Sequence, residues 1–333
     1  MKKIIKSFFF SVIIPAKNFN KHIKKNIKYL LREDDHNFKF EIIIVLNEID
    51  KRYKIKNCNF ISSGVVAPGR KRDQGSRNSK GKYLIFLDDD SYVCKNYLSY
   101  IHNFVSKNPK IKIIGGPGVT PKNQNLIGKV LGSIFESKIL TSESNRYRIE
   151  KNDHGKLFDD WPSMNFIIDK KIFNKVKGFN TDAWPGEDTI LCKKLLKINK
   201  KVFYLPKLYV SHYRRDNIID HLKQVGSYGK MRGFLFKKMD DNSFKLKFLL
   251  PSLFILYLLI LPILNLIFNN FFIYFLIYFY LMYIFIGTFL IIINYKKLIF
   301  IISYPAVILT HIIYGIYFIL GFSLKQMPLA RLR

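Results

Sequence analysis

The sequence is poor in acidic residues and in cysteine. Its 333 residues include 24 Asp plus Glu against 55 Lys plus Arg, which leaves a formal net charge of +31. The three cysteines, Cys58, Cys94 and Cys192, are far apart, odd in number and without CxxC spacing. This pattern argues against a disulfide framework or a zinc site and favours a reducing compartment. The partners of so basic a chain are expected to be anionic, such as a nucleotide, a lipid head group or a nucleic acid.

Three of the few acidic residues are consecutive. Asp88, Asp89 and Asp90 directly follow the apolar run Tyr83–Leu87. The run predicts a buried strand, and the carboxylates cannot continue it because unpaired charge is costly away from water. We expect them where the strand leaves an open α/β sheet, since ligands bind at the carboxyl ends of such strands. Oxygen donors there suit a hard divalent cation. The alternative is a solvated Asp turn without a ligand.

The start of the chain is typical of a βαβ unit with a parallel strand pair. Residues Phe8–Ile14 predict a buried strand, Lys21–Leu31 an amphipathic helix and Glu41–Leu46 a second strand. The alternative for the first segment is a signal peptide, because lysines precede its apolar residues. That segment, however, runs into Pro15 and lacks an A-x-A-like cleavage site. We therefore interpret the segment as a strand, and the spacing of strand, helix and strand indicates an α/β fold.

A stretch dense in Gly, Lys and Arg, residues 67–82, precedes the aspartates. Its cationic side chains and backbone N–H groups suit the binding of a diphosphate. The alternative is a solvated basic loop and helix. Further on, residues 111–114 predict a strand followed by glycines that permit close approach of the backbone to a ligand. Residues 122–156 show only a weak pattern.

Two acidic residues precede a predicted helix. The spacing of apolar residues predicts a helix over Thr189–Ile198, which puts Glu187 and Asp188 at its N-terminus. The positive end of the helix dipole keeps a carboxylate ionised there, as a general base requires. The alternative is that the acidic residue only caps the helix. His212, after a strand predicted at Val202–Tyr209, is either a metal ligand or a structural histidine.

The last part of the chain has three long apolar segments, residues 248–268, 271–294 and 298–322. Each is long enough for the roughly 20 residues that span a bilayer. Lysines precede the first segment and separate the second from the third. The positive-inside rule therefore predicts that the preceding domain and the loop at Lys296 are cytoplasmic. Three full spans would put the basic C-terminus outside, against that rule. The third segment contains Pro, His and Gly, so a re-entrant or interfacial segment is an alternative.

Six segments carry a resemblance to a known family. They are SVIIPAKN, EIIIVLNE, GRKRDQGSRNSKGKYLIFLDDDS, SMNFIIDKKIFNKVKGFN, GEDTILCKKL and LYVSHYRR. Their types and order resemble the family 2 glycosyltransferases of GT-A fold, and the match covers Ser11 to about Gly233. With the apolar tail included, the chain resembles membrane-anchored bacterial exopolysaccharide enzymes of the succinoglycan type. The resemblance implies an α/β fold, a Rossmann-like GT-A domain followed by C-terminal transmembrane helices.

The resemblance also implies a role for each matching residue. The donor-binding residues would be Pro15, Asn18, Asn47, Arg72, Asp88 and Asp89. The ligands of Mg²⁺ or Mn²⁺ would be Asp88, Asp90 and His212. The base would be Asp188, with Glu187 beside it, and attack opposite the leaving nucleotide would invert the anomeric centre. The acceptor or interface residues would be Asn165, Trp184, Gln224 and Arg232.

One departure from the family concerns the nucleotide base. Relatives usually end the second strand with an Asp that contacts the base, whereas this sequence has Leu46, Asn47 and Glu48 there. Asn47 or Glu48 would take over that contact. UDP is therefore only the default donor nucleotide.

These observations predict four parts: a cytoplasmic GT-A domain at 1–213, a basic amphipathic interface segment at 214–246, a transmembrane region at 247–323 and a basic tail at 324–333. The chain would move a sugar from a nucleotide-diphosphate donor to a lipid-linked or glycan acceptor at the bacterial inner membrane.

Two alternatives concern the same fold. A processive polysaccharide synthase is one, because Gln224, Tyr228 and Arg232 loosely match the Q-x-x-R-W element of processive relatives. A non-catalytic membrane scaffold is the other, although it would be expected to lose the carboxylates kept here. No nucleic-acid partner is expected, because most aromatic residues lie in the apolar segments and not on a basic face.

Overall fold

The computed structural model describes residues 8–32, 38–50, 53–141, 143–239, 242–268 and 270–329. Lys2, Lys3 and Lys6, which prompted the signal-peptide alternative, lie outside the described residues, as do Arg331 and Arg333 of the predicted tail. The strands are β1 (Phe8–Pro15), β2 (Lys39–Leu46), β3 (Cys58–Ser62), β4 (Tyr83–Leu87), β5 (Ser91–Val93), β6 (Ile113–Gly115), β7 (Gly118–Val119), β8 (Leu157–Phe158), β9 (Asn165–Asp169), β10 (Val202–Tyr204) and β11 (Val210–His212). The helices are α1 (Lys21–Leu31), α2 (Pro68–Arg77), α3 (Tyr97–Lys107), α4 (Leu126–Glu136), α5 (Lys170–Lys175), α6 (Glu187–Leu196), α7 (Ile218–Lys237), α8 (Leu246–Phe268), α9 (Phe275–Tyr295) and α10 (Ser303–Ser323).

The chain forms two compact units. The first contains the chain up to Pro121, Arg148–Tyr213 and the segment from Leu329. The second contains Lys122–Tyr147 and Arg214–Pro328. Residues 122–147, which the sequence analysis assigned to the catalytic domain, thus group with the C-terminal helices.

The first unit is built on an eight-stranded sheet in the order β3-β2-β1-β4-β9-β6-β10-β8. Strands β3, β2, β1 and β4 are parallel, and β9 runs antiparallel to both β4 and β6. The carboxyl ends of β4 and β6 therefore lie at the same edge of the sheet. A second, three-stranded sheet has the order β5-β11-β7, with β11 antiparallel to β5 and parallel to β7.

The predicted α/β fold is confirmed, together with the helix at Lys21–Leu31 and the strand at Tyr83–Leu87. The single strand predicted at Val202–Tyr209 is wrong. Strand β10 joins the large sheet, and β11 joins the small one and includes His212. Pro206 lies between them, and proline has no N–H to donate to a ladder. The helix predicted to begin at Thr189 begins two residues earlier, at Glu187.

The core lies on both faces of the large sheet. Successive residues of β4 alternate between the faces: Ile85 and Leu87 belong to one buried cluster, and Leu84 and Phe86 belong to the other. All five residues of β4 are buried. This is typical of a central strand covered on both sides, and it explains why the acidic residues can begin only where β4 ends.

The second unit consists of helices. Val130 and Ile134 of α4, Ile284 and Ile291 of α9, and Val307 of α10 share one apolar cluster. Three helical segments, Leu246–Phe268, Phe271–Tyr295 and Leu298–Ser323, are long and apolar enough to cross a membrane. Most of their large side chains are exposed, as expected of surfaces that face lipid.

A buried carboxylate fixes the entry of the chain into β4. Glu41 on β2 is 3% exposed and accepts hydrogen bonds from Ser11 Oγ at 2.6 Å and from Lys80 N at 2.5 Å. Ser11 Oγ in turn accepts from Gly81 N at 2.8 Å. The turn before β4 is thereby tied to β1 and β2, which sets where the following aspartates emerge.

We predict that Glu41→Ala lowers the free energy of unfolding by about 3 kcal/mol, because it leaves a buried hydroxyl and a backbone N–H without their charged acceptor. Glu48→Ala, which removes an exposed glutamate just after the same strand, should change it by less than about 0.5 kcal/mol. Denaturant unfolding of both variants in detergent measures the difference. Equal midpoints would show that Glu41 does not stabilise this turn.

Candidate active site

The acidic turn after β4 is held by its own backbone and by the small sheet. Ser91 donates to the carbonyl of Asp88 through both N, at 3.2 Å, and Oγ, at 2.7 Å. Strand β5 starts at Ser91 and pairs with β11 so that His212 lies opposite Ser91. The pairing therefore brings His212 to the aspartate turn from more than a hundred residues away.

Asp88, Asp90 and His212 form a group that suits a divalent metal ion. His212 Nε2 is 2.9 Å from Asp90 Oδ1 and 3.9 Å from Asp88 Oδ2. One ligand atom from each of the three residues lies within 4.8 Å of the others, and the three side chains are partly accessible. Two carboxylates suit Mg²⁺ or Mn²⁺, an imidazole suits Mn²⁺ better than the harder Mg²⁺, and partial exposure leaves room for ligand oxygens. The donor set therefore fits the predicted ion.

Asp89, between the two carboxylates, makes a different contact. Its Oδ2 accepts from Asn20 Nδ2 at 2.8 Å, while Asn20 Oδ1 caps α1 by accepting from the N–H groups of His22 and Ile23. Burial, together with the charges of Asp90 and Asp88, raises the pKa of Asp89 to about 7. Asp89 thus links the acidic turn to the start of α1. Asn20 was missed in the sequence, although its position just before a helix is a capping signal.

Arg72 on α2 joins the two acidic motifs. It is 3% exposed, and its two terminal nitrogens donate to Asp88 Oδ1 at 2.6 Å and to Glu187 Oε1 at 2.8 Å. Burial raises the pKa of Glu187 above its ordinary value, and the Arg72 charge opposes that rise. In the described structure the guanidinium, predicted to approach a diphosphate, is engaged by these two carboxylates.

Lys71, the neighbour of Arg72, connects the ends of β1 and β2. Its Nζ donates to the carbonyl of Ala16 at 2.5 Å and to Asn47 Oδ1. Burial lowers the pKa of Lys71 to about 8, against the opposing charge of Asp89. Asn47 N also donates to the carbonyl of Lys17 at 3.1 Å, so Asn47 lies beside the loop that follows Pro15 and contains Asn18. The sequence offered no signal for Lys71, because nothing distinguishes it from the other basic residues of the same stretch.

Asp188 lies in the first turn of α6 but does not cap it. The N-cap is Gly186, at φ 111°, which has no side chain to accept a hydrogen bond. Asp188 Oδ1 accepts from Thr189 N at 2.8 Å, and Oδ2 is 3.4 Å from Ser163 N. Glu187 is buried, whereas Asp188 is half-buried. Of the two carboxylates, Asp188 is therefore the more accessible.

The four predicted acceptor or interface residues occupy different surroundings. Asn165 is fully buried; its Oδ1 accepts from Tyr97 OH at 2.5 Å and its Nδ2 donates to the carbonyl of Leu208 at 2.7 Å. Trp184 is 47% exposed in the loop before α6. Gln224 and Arg232 lie on α7 in the second unit, where Gln224 Nε2 donates to Tyr228 OH at 3.0 Å.

Comparison with known proteins identifies the class. The family model described as glycosyl transferase family group 2 matches residues 83–320, which is more than half of the chain. The chain belongs to this family and is a glycosyltransferase of GT-A type, as the motifs predicted.

Individual relatives are distant. The chain is 23% identical over 274 residues, 78% of this chain and 83% of the other, to a dolichyl N-acetyl-alpha-D-glucosaminyl phosphate 3-beta-D-2,3-diacetamido-2,3-dideoxy-beta-D-glucuronosyltransferase of Methanococcus voltae. It is 26% identical over 247 residues, 68% of each protein, to the poly(ribitol-phosphate) beta-N-acetylglucosaminyltransferase TarP of Staphylococcus aureus. A crystal structure of S. aureus TarS with UDP-GlcNAc superposes with a TM-score of 0.43 at 17% identity, covering 67% of this chain and 66% of that one.

We predict that Arg72→Met destabilises the protein by about 3–5 kcal/mol, because it leaves Asp88 and the buried Glu187 without their shared cation. Arg70→Met is the matched control. Arg70 pairs with Asp182 at 2.8 Å, but their side chains are 41% and 53% exposed, and such pairs contribute at most about 1 kcal/mol. Denaturant unfolding separates the two variants. A similar small effect for both would mean that the Arg72 contacts do not stabilise the site.

Proposed function

We propose that this glycosyltransferase uses a divalent metal ion and inverts the anomeric centre as it moves a sugar from a nucleoside diphosphate to a lipid-linked or glycan acceptor at a membrane. The observation that carries the proposal is the connection between two acidic groups. Asp88 is one of the three candidate metal ligands, with Asp90 and His212. Arg72 bridges Asp88 to Glu187, the neighbour of Asp188. The group of Asp88, Asp90 and His212 suits binding of the donor diphosphate, and the pair of Glu187 and Asp188 suits the acceptor hydroxyl.

The donor would bind where the parallel strands end. A Mg²⁺ or Mn²⁺ ion held by Asp88, Asp90 and His212 would neutralise charge on the leaving nucleoside diphosphate. Asn47 would contact the nucleotide base from a side chain that Lys71 holds in place, with Pro15 and Asn18 lining the same pocket. Asp89 would position the acidic turn through Asn20. UDP is the default nucleotide.

Asp188 would accept the proton of the acceptor hydroxyl. Its carboxylate is oriented by two backbone N–H groups, as a positioned general base requires. Arg72 would keep Glu187 in place beside it. Attack by the hydroxyl on the face opposite the nucleotide would then invert the sugar carbon. Trp184, exposed in the loop before α6, would contact the acceptor. Asn165, buried at the start of β9, would support the site.

The acceptor would be anionic or lipid-linked. Two relatives are named for such acceptors, a dolichyl phosphate-linked sugar and poly(ribitol-phosphate). The net charge of +31 favours the same class of partner. The apolar helices would anchor the protein in the inner membrane of a bacterial cell, with the catalytic unit on the cytoplasmic side where nucleotide sugars are supplied. The basic helix α7, with Gln224 and Arg232, would lie at the membrane interface.

The first test of this function is metal dependence. Binding of the preferred nucleoside diphosphate, chosen from UDP, GDP, CDP and dTDP, should require Mn²⁺ or Mg²⁺ and weaken by at least about 10- to 100-fold in Asp90→Asn, since even indirect partners of a metal affect its affinity by that much. Asp153→Asn, a change elsewhere in the first unit, should bind normally. Isothermal titration with and without chelator measures this. Equal affinity under both conditions would remove the metal from the proposal.

The second test separates catalysis from binding. Asp188→Asn keeps one oxygen acceptor for Thr189 N and loses only the long 3.4 Å contact from Ser163 N, so the fold should be retained. It removes the base, which typically costs about 10²- to 10⁴-fold in rate. Nucleotide-sugar binding should survive because the donor contacts lie elsewhere. Asp182→Asn, which changes an exposed carboxylate in the loop before α6, should transfer sugar normally. Near-normal turnover by Asp188→Asn would move the base to another residue.

A further inference from the structure

The chain both leaves and re-enters the first unit around the apolar helices. Tyr213 is the last residue of the first unit before α7, and after α10 the backbone of Leu329 pairs with Ala183 in the same unit. Two points of one compact unit must lie on the same side of a membrane. If the proposed membrane location holds, the chain between them crosses the bilayer an even number of times. Three crossings are therefore incompatible with this pairing.

Helix α10 runs side by side with α7 and in the same direction. His221 Nε2 lies 2.9 Å from Thr310 Oγ1 near the start of the pair, and Lys237 Nζ donates to the carbonyl of Leu324 at 3.1 Å near its end. From the first contact to the second, the residue numbers on both helices increase over about four helical turns, so the two helices are parallel. The pairing thus extends along most of α7 and over the C-terminal two thirds of α10.

Glycines bring the two helices into backbone contact. A Cβ atom at Gly233 would lie 2.0 Å from the carbonyl oxygen of Phe318, and one at Gly229 would lie 2.5 Å from that of Tyr314. On the other helix, a Cβ at Gly321 would lie 1.8 Å from the carbonyl oxygen of Lys230. Contacts this close fix the helices as one rigid pair. In a membrane, α10 must therefore lie at the same depth as α7.

Helix α7 is too charged to cross a bilayer. It contains Asp220, Lys223, Lys230, Arg232 and Lys237 within its 20 residues. Lys223 is 73% exposed and Asp220 is 52% exposed. Each charged residue at the centre of a membrane helix costs about 2.5–3.5 kcal/mol, even on the lowest scale. The apolar side of α10, with Leu309, Ile316 and Leu320 exposed, would instead dip into lipid while the lysines of α7 face head groups.

We infer that only α8 and α9 cross the membrane, as a hairpin, and that α7 and α10 form a two-helix platform lying in the anionic lipid interface on the catalytic side. Every buried residue of α8 lies before Leu256, and every buried residue of α9 lies after Tyr283. The described residues between them, 256–268 and 270–283, are without a buried side chain. The sequence between Lys247 and Lys296 has no charged residue, so the far end of the hairpin at Asn270 meets no electrostatic barrier.

Cysteine labelling in intact cells tests the number of crossings. In a background with Cys58, Cys94 and Cys192 replaced by Ala, single cysteines are placed at the exposed positions Asn270, Lys296 and Lys325, with Lys201→Cys on the first unit as the inside control. A membrane-impermeant maleimide should label Asn270→Cys from outside, and the other three only after permeabilisation. Labelling of Lys325→Cys from outside, or failure to label Asn270→Cys from outside, would overturn the two-crossing arrangement.

Spin-label depth tests the platform. Labels at Leu309 and Leu320, about 16 Å apart along α10, should have nearly the same depth in vesicles containing anionic lipid. Labels at Leu253 and Leu266 on α8 should differ in depth by most of about 20 Å. Different depths at Leu309 and Leu320 would place α10 across the bilayer and overturn the inference. Release of the protein from membranes by carbonate would instead show that the proposed membrane location itself is wrong.

Discussion

The buried guanidinium of Arg72 is the interaction on which the candidate site depends. It neutralises Asp88 at the end of β4 and Glu187 at the start of α6, two carboxylates that are far apart in the chain. Without a cation between them, burial of Glu187 beside the aspartates would be electrostatically unfavourable. One side chain therefore sets the separation between the candidate metal ligands and Asp188. Helix α2, which carries Arg72, and the turn tied to Glu41, which leads into β4 and Asp88, support the two sides of this contact.

Much of the site's framework could be predicted from sequence. The apolar run Tyr83–Leu87 ending in three carboxylates predicted a buried strand with an acidic turn after it, because charge cannot continue a buried strand. Glu187 and Asp188 at a helix start followed from the spacing of apolar residues alone. The α/β fold followed from the order and spacing of predicted strands and helices, and the three long apolar helices followed from uninterrupted apolar runs. The family resemblance predicted the class of enzyme.

The remaining contacts could not be predicted because they depend on tertiary packing. Strands β5 and β11 have three residues each and show no periodicity, so the pairing that brings His212 to Asp90 leaves no local signal. Lys71 and Arg72 are buried whereas the side chain of Arg70 is 41% exposed, although all three lie in one basic run. Helix α10 is as apolar as a membrane span, and its sequence gives no sign of the glycine contacts that pair it with α7. Burial of polar residues and pairing of apolar helices are properties of the assembled structure.

We propose that a divalent ion binds to Asp88, Asp90 and His212 and also holds the donor diphosphate. Electron–nuclear double resonance on the Mn²⁺-loaded protein with the preferred nucleoside diphosphate tests it most directly. We expect coupling of the manganese to one imidazole nitrogen and to phosphorus, with the nitrogen coupling lost in His212→Gln. A spectrum of fully hydrated Mn²⁺, or one in which the nitrogen coupling is unchanged by that substitution, would contradict it.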